Sequence, residues 1–140
     1  MTEEFDPEEL REMKKDLYSG IRQVAGNYGG YIESFVGDGV LVLFGFPRAG
    51  EDTAVRTIQA AIRIHRFVKS MSPRYEKRLG RPLTMHSGIN TGLIVTGDVG
   101  NKEGGTPVVT GEAVNVASRL SSLANADEIL LGTEAYILAK

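Results

Sequence analysis

Residues 35–44 read FVGDGVLVLF, two apolar runs on either side of Asp38, which is itself flanked by two glycines. An Asp-Gly pair between strand-like residues favours a β-hairpin, because both central positions of a type I′ turn require positive φ. We therefore predict a strand near residues 31–36, a turn at residues 37–39 and a strand over residues 40–44. The stretch alone leaves two roles open for Asp38: it makes the turn, or its carboxylate holds a ligand.

The composition is that of one globular domain over residues 1–140, with 41% hydrophobic and 24% charged residues. A net charge of −2 gives no sign of the basic surface with which proteins bind nucleic acid. The lack of cysteine excludes a disulfide framework, thiol catalysis and a thiolate zinc site. The acidic N-terminus has no signal-peptide core, and the longest apolar run, VLVLFGF from Val40, is too short to cross a bilayer. We predict a cytoplasmic domain without a membrane segment.

Apolar spacings predict helices that alternate with strands. A first helix should begin with Asp6 as the N-cap and Pro7 as the first residue. A second helix should open near residues 50–52 and break near Pro73. Its predicted buried face consists of four residues: Val55, Ile58, Ile62 and Val68. Strands within residues 83–100, a helix from about Ala113, a short strand at 128–132 and a terminal helix complete an α+β pattern.

Residues 111–120, GEAVNVASRL, place Asn115 and Arg119 four residues apart, on one polar stripe of the third helix. An amide and a guanidinium near a helix N-terminus favour the binding of phosphate oxygens. The alternative is that both are solvated residues of a surface helix. The predicted apolar face of this helix consists of Ala113, Val116, Ala117, Leu120 and Leu123.

Four segments in this order resemble the class III adenylyl/guanylyl cyclase catalytic domain, most of all its bacterial members. They are GGYIESFVGDGVLVLFGFP from Gly29, EDTAVRTIQAAI from Glu51, HSGINTGLIVTGDVG from His86 and VVTGEAVNVASRL from Val108. The resemblance covers nearly all of residues 3–137. It implies a ferredoxin-like α+β fold, with an antiparallel-rich central sheet on which helices pack.

The resemblance also implies a head-to-tail homodimer with nucleoside triphosphate sites at its interface. Two metal ions, Mg²⁺ or Mn²⁺, would be held by two aspartates of one subunit, and Asp38 lies at the position of the second aspartate. The other subunit would supply a transition-state pair, which falls on Asn115 and Arg119. Turn formation and metal binding by Asp38 are compatible, because the flanking glycines let an ion approach.

The chain also departs from the family pattern. The family's first strand, which carries the other metal-binding aspartate, is missing, so the domain is expected to be N-terminally truncated and partial. Ser34 and Val108 stand at the base-reading positions and match neither the usual adenine-reading nor the usual guanine-reading pair. His86 stands where the family commonly has an arginine. The sequence also stops before the C-terminal hairpin that usually provides a triphosphate-binding lysine in the family.

These observations predict a nucleotidyl cyclase that converts a nucleoside triphosphate, ATP in preference to GTP, to the 3′,5′-cyclic monophosphate and pyrophosphate for signalling. Regulatory domains are expected as attached partners, and the chain as given is expected to be inactive alone. Two alternatives remain open. One is a degenerate domain that binds a nucleotide or a partner without turnover. The other is a half-site subunit whose Asn115 and Arg119 serve a catalytic partner.

Overall fold

The computed structural model describes residues 7–36, 39–45, 50, 52–91, 95–97, 108–110 and 112–139. Helices and strands alternate along these ranges, which confirms the predicted α+β class. In chain order they are α1 (Pro7–Asn27), β1 (Gly30–Val36), β2 (Gly39–Phe44), α2 (Thr53–Leu79), β3 (Ser87–Ile89), β4 (Val95–Gly97), β5 (Val108–Thr110), α3 (Glu112–Leu123), β6 (Ile129–Leu131) and α4 (Thr133–Ala139).

The core lies between α1, α2 and the β1–β2 hairpin. Helix α1 begins at Pro7 as predicted, whereas its expected cap, Asp6, lies outside the described residues. Ile21 and Ala25 of α1 form a buried cluster with Ile64 and Val68 of α2. Partly buried residues of the hairpin and of the segment after α2 pack against this cluster: Ile32, Val40, Val42, Leu83 and Met85.

The predicted buried face of α2 is wrong in part. Val68 is buried as predicted and Ile58 is partly buried, whereas Val55 and Ile62 are 38% and 40% exposed and Ile64 is buried instead. Helix α2 carries apolar residues on two sides, and periodicity alone does not show which side meets α1. The structure buries the side that faces α1, where the two helices lie close together. A Cβ added at Gly20 of α1 would overlap the ring of Phe67.

The predicted break at Pro73 is also wrong, because α2 continues through this residue to Leu79. Proline removes one backbone donor, and contacts on both sides of it hold the helix. Ser72 Oγ accepts a hydrogen bond from Leu83 N at 2.8 Å, and Tyr75 Oη donates to Asp16 at 3.3 Å. The helix ends at Gly80, whose φ of 76° is the left-handed conformation that glycine adopts most easily.

Strands β1 and β2 pair antiparallel with Val36 opposite Gly39, which confirms the predicted hairpin and gives it a two-residue connection. Asp38 belongs to this connection and lies outside the described residues. The register shifts between Ile32 and Ser34, so Glu33 is an extra residue in β1. Strands β4 and β5 also pair antiparallel, whereas β3 and β6 pair parallel. Antiparallel pairing thus predominates among the described strands.

Strand β3 lies directly against α3. A Cβ added at Gly88 would overlap the carbonyl oxygen of Ala117 and the backbone nitrogen of Ser121. The backbones of the strand and the helix are therefore in contact at this point. Any larger residue at position 88 has to push α3 away.

A hydrogen bond of 2.7 Å between His65 Nε2 and Ser87 Oγ connects α2 with β3. Burial lowers the pKa of His65 from its ordinary value; the charge of Asp127 opposes this effect and His86 adds to it. The folded chain therefore favours neutral imidazole at this position.

Two glycine-to-alanine substitutions should distinguish the effect of packing on stability from the effect of helix propensity. Gly88→Ala should lower the free energy of unfolding by about 1–3 kcal/mol, because α3 has to move. Gly26→Ala, on α1 with nothing within 4 Å of the added Cβ, should raise it by about 0.4–1 kcal/mol. Urea denaturation measures both values. A Gly88→Ala protein as stable as the wild type would contradict the close contact.

His65 should make folding sensitive to mild acid. The unfolded chain takes up a proton on this histidine as the pH falls through about 6.5, whereas the folded chain resists protonation until a lower pH. The free energy of unfolding should therefore fall as the pH drops below about 6.5. His65→Gln should make the decline between pH 7 and pH 5 shallower in urea titrations, whatever its effect at neutral pH. An unchanged slope would contradict this assignment.

Candidate functional site

Helix α3 presents Asn115 and Arg119 to solvent, as the sequence predicted. Both are exposed, whereas Ala113, Ala117 and Leu120 are partly buried on the side that faces β3. Asn115 follows Ala113 by two residues, which places it about 200° around the helix from the packed side. Both polar side chains thus point out of the core.

Leu123 was predicted to extend the apolar face of α3, and this prediction is wrong. Its side chain is 73% exposed. It lies at the last residue of the helix and near the edge of the apolar stripe. The contact between Gly88 of β3 and the helix lies at Ala117 and Ser121, before Leu123.

Arg119 forms an ion pair within α3. Its Nη2 donates to Glu112 Oε1 at 3.1 Å, and the two side chains are 68% and 77% exposed. An exposed pair of this kind contributes little to stability, so a stronger anion can displace Glu112 from the guanidinium. The sequence analysis did not consider Glu112, although an acid seven residues before Arg119 lies on the same side of the helix.

His86 lies against the last turn of α3. Its Nδ1 donates to the carbonyl oxygen of Ser121 at 2.6 Å, and the ring is exposed. Helix α3 has no basic residue in its own last turn, so His86 supplies a donor to the carbonyl end of the helix. Since Nδ1 is engaged, Nε2 is the ring nitrogen that could meet a ligand. Substrate binding by His86 stays a prediction.

The other predicted site residues are located only in part. Ser34 pairs with Leu41, immediately after the extra residue in β1, and Val108 pairs with Gly97 at the start of β5. Their side chains, like Asp38 as a whole, lie outside the described residues. The structure therefore brings Asn115 and Arg119 together on one helix, and the roles of Ser34, Val108 and Asp38 stay predictions.

The sequence matches the model of the adenylate and guanylate cyclase catalytic domain along residues 1–140. The chain belongs to this family. Its structure superposes on that of the guanylyl cyclase Cya2 with a TM-score of 0.87 and 30% identity, covering 97% of this chain and 69% of that one. The adenylyl cyclase CyaB from P. aeruginosa gives 0.86 and 33%, with 96% and 70% covered. The predicted cyclase fold is confirmed.

Among curated relatives, an adenylate cyclase from Anabaena cylindrica is 28% identical over 127 residues, which cover 88% of this chain and 24% of the relative. The chain thus spans about a quarter of the length of that relative. No helix in the described ranges is long and apolar enough to cross a membrane.

The described residues of the cyclase domain contain no group of three or more His, Asp or Glu side chains that could hold a metal ion. Asp38, the predicted metal ligand, is outside those residues. The described part of the site therefore does not by itself make a metal centre. Its chemistry is that of an amide and a guanidinium.

An open groove of about 570 Å³ lies between α1 and α2, on a different part of the cyclase domain from α3. Its lining residues are Val24, Asn27, Tyr28, Arg63, Arg66 and Phe67. Arg63 Nε donates to Tyr28 Oη at 3.3 Å, and Arg56 Nη1 donates to the carbonyl of Tyr28 at 3.2 Å. These arginines supply positive charge at the end of α1, whose own last turn has no basic residue. The groove is thus explained by helix packing and holds none of the predicted site residues.

Removing the ion pair on α3 should hardly affect folding. Glu112→Gln and Arg119→Ala should each change the free energy of unfolding by less than about 0.5 kcal/mol, because both side chains are largely exposed. Urea denaturation at low and at high salt measures this. A loss of several kcal/mol in Arg119→Ala would show a structural role and would weaken any catalytic interpretation.

Proposed function

We propose that this cyclase domain takes part in converting a nucleoside triphosphate to the 3′,5′-cyclic monophosphate and pyrophosphate. One observation carries the proposal: α3 directs Asn115 and Arg119 to solvent from one side while its other side is fixed on β3. A fixed helix that presents an amide and a guanidinium is suited to phosphate chemistry. Membership of the cyclase family makes cyclisation the reaction to expect.

Cyclisation is an in-line displacement at the α-phosphorus. The ribose 3′-oxygen forms a bond to this phosphorus and passes its proton to solvent, while the bond to the oxygen that bridges to the β-phosphate breaks and pyrophosphate leaves. Negative charge moves onto the leaving and non-bridging oxygens. We assign Arg119 to this charge, with Glu112 displaced from the guanidinium as the phosphates enter. We assign Asn115 to a hydrogen bond with the same nucleotide.

The proposal requires a second subunit. Asn115 and Arg119 lie on an open surface, so residues of another chain are needed to enclose a nucleotide. In a head-to-tail homodimer, the Asp38 hairpin of one subunit would face α3 of the other. We propose that Asp38 contributes to holding Mg²⁺ or Mn²⁺, which would supply positive charge to the phosphates. Attached regulatory domains belong to the same proposal.

The choice of ATP rather than GTP as the substrate is the most specific part of the proposal. The adenylyl cyclase CyaB and the guanylyl cyclase Cya2 resemble this chain to a similar degree, so the resemblance alone favours neither base. Ser34, His86 and Val108 are the proposed substrate-binding residues. Serine has one hydroxyl and valine has no polar group, so any discrimination by these two depends on few hydrogen bonds.

The exposure of Asn115 and Arg119 on an open surface is also compatible with one alternative, a half-site subunit. In that case Asn115 and Arg119 would act on a nucleotide whose metal ions are held by a different chain. Residues 1–140 would then be inactive alone but would restore turnover to a cyclase that lacks its own arginine.

The test compares residues 1–140 with the protein translated from the full reading frame, assayed for cyclic AMP and cyclic GMP with Mg²⁺ or Mn²⁺. Residues 1–140 alone should show little turnover, because one aspartate can hold at most part of a two-metal site. In an active protein, Arg119→Ala should lower kcat by about 10²–10³ with KM nearly unchanged, since the contact forms in the transition state. Arg74→Ala, an exposed arginine on α2, is the matched control and should keep wild-type kinetics.

A mixing experiment tests whether the sites are shared between subunits. Asp38→Ala should reduce nucleotide affinity and rate together. Mixing Asp38→Ala chains with Arg119→Ala chains should recover part of the activity, because one of the two interfacial sites is then intact. No recovery in a confirmed mixed dimer would reject the shared site. No turnover by the full-length wild type with either nucleotide would reject the enzyme.

A further inference from the structure

Asn90 links the end of β3 to the first turn of α3. It follows Ile89, the last residue of β3, and is partly buried. Its Nδ2 donates a hydrogen bond of 3.2 Å to the carbonyl oxygen of Ala113, the second residue of α3. The two residues are 23 positions apart in the chain, so this bond is a tertiary contact.

The bond is not a helix cap. The first turn of a helix lacks partners for its N–H groups, whereas its carbonyls already accept hydrogen bonds from residues four positions later. Asn90 donates to one of these carbonyls and uses its second lone pair. The helix does not need this bond to satisfy its backbone. Its effect is to fix where the helix lies and how it is rotated about its axis.

Gly132 holds the Asn90 amide in place from the other side. Its backbone nitrogen donates to the carbonyl of Ile89 at 2.8 Å, which ties the end of β6 to the residue before Asn90. A Cβ added at Gly132 would overlap Asn90 Oδ1 but would lie 3.5 Å from Asn90 Cβ, an ordinary contact. Gly132 is not among the glycines with positive φ in the described ranges, so space, not backbone conformation, demands glycine here.

The segment from His86 to Asn90 therefore contacts α3 at three points along the helix. Asn90 bonds to the first turn, Gly88 touches the backbone of the middle turns, and His86 donates to Ser121 in the last turn. Asn115 and Arg119 project from the other side of the helix. A rotation of α3 on this support would swing both side chains, and a displacement of about 1 Å at a reacting group can reduce a rate 10²-fold.

We propose that Asn90 is a positioning residue, which fixes the rotation of α3 and thereby the placement of Asn115 and Arg119. It does not touch the nucleotide in this assignment. The kinetic consequence rests on the proposed cyclase function, whereas the control of α3 by Asn90 can be measured without any turnover.

The first experiment measures hydrogen exchange in the whole chain. Asn90→Asp removes the donor and places a negative charge beside the Ala113 carbonyl. Exchange of the α3 amides should become at least about tenfold faster, while α1 keeps its wild-type exchange. Gln23→Glu, the same amide-to-acid change at an exposed position on α1, is the matched control and should leave α3 unchanged. Wild-type exchange of α3 in Asn90→Asp would overturn the proposal.

A second pair of variants disturbs the contact between Asn90 and α3 through a substitution at Gly132. Gly132→Ala should displace the Asn90 amide and speed exchange in α3, although neither Asn90 nor α3 is altered. In an Asn90→Ala background, Gly132→Ala should have little further effect, because only the 3.5 Å contact remains. This double variant also keeps the test usable if Gly132→Ala alone fails to fold. If Gly132→Ala speeds exchange in α3 as much in the Asn90→Ala background as in the wild type, the proposal is overturned.

The third readout is kinetic and uses the full-length protein. Asn90→Asp should lower kcat about tenfold or more with KM nearly unchanged, and adding it to Arg119→Ala should cause little further loss. Additive losses would show that Asn90 acts independently of Arg119 and would overturn the inference. Failure of the proposed function appears differently, as a wild-type protein without turnover whose α3 exchange still responds to Asn90→Asp.

Discussion

The direct contact between the backbones of β3 and α3 is the constraint on which the candidate site depends. Because Gly88 has no side chain, the strand lies against the helix without an intervening layer. This closeness lets two short side chains, Asn90 and His86, reach opposite ends of α3. A thicker interface would leave both hydrogen bonds out of reach. The placement of Asn115 and Arg119 is thus determined by a surface that neither residue touches.

The residues that stabilise the fold and the residues of the candidate site lie in different parts of the molecule. Its buried cluster is formed by α1 and α2, and the groove between these helices is lined by arginines that complete helix packing. Helix α3 contributes no fully buried residue in the described structure, and its charged groups are exposed. The exposed side chains of α3 can therefore be exchanged with little effect on the core, which is why their effects on kinetics can be interpreted.

Local signals in the sequence predicted the hairpin, the start of α1 and the outward direction of Asn115 and Arg119. They failed where tertiary packing decides. Periodicity chose Val55 and Ile62 on α2 because it cannot tell which of two apolar stripes meets another helix. Pro73 did not end α2, because packing outweighed one lost hydrogen bond. The bond from Asn90 to Ala113 joins segments 23 residues apart, so no local pattern shows it.

The fit of Gly132 against Asn90 also restricts the order in which this sequence can evolve. A side chain gained first at position 132 collides with the amide of Asn90, and the intermediate chain is strained. A side chain shortened first at position 90 leaves a small void that a later alanine at position 132 can fill. The two orders of substitution end in the same sequence but pass through intermediates of different stability. The order of the two substitutions therefore matters, because an alanine at position 132 fits more easily once position 90 no longer carries the amide.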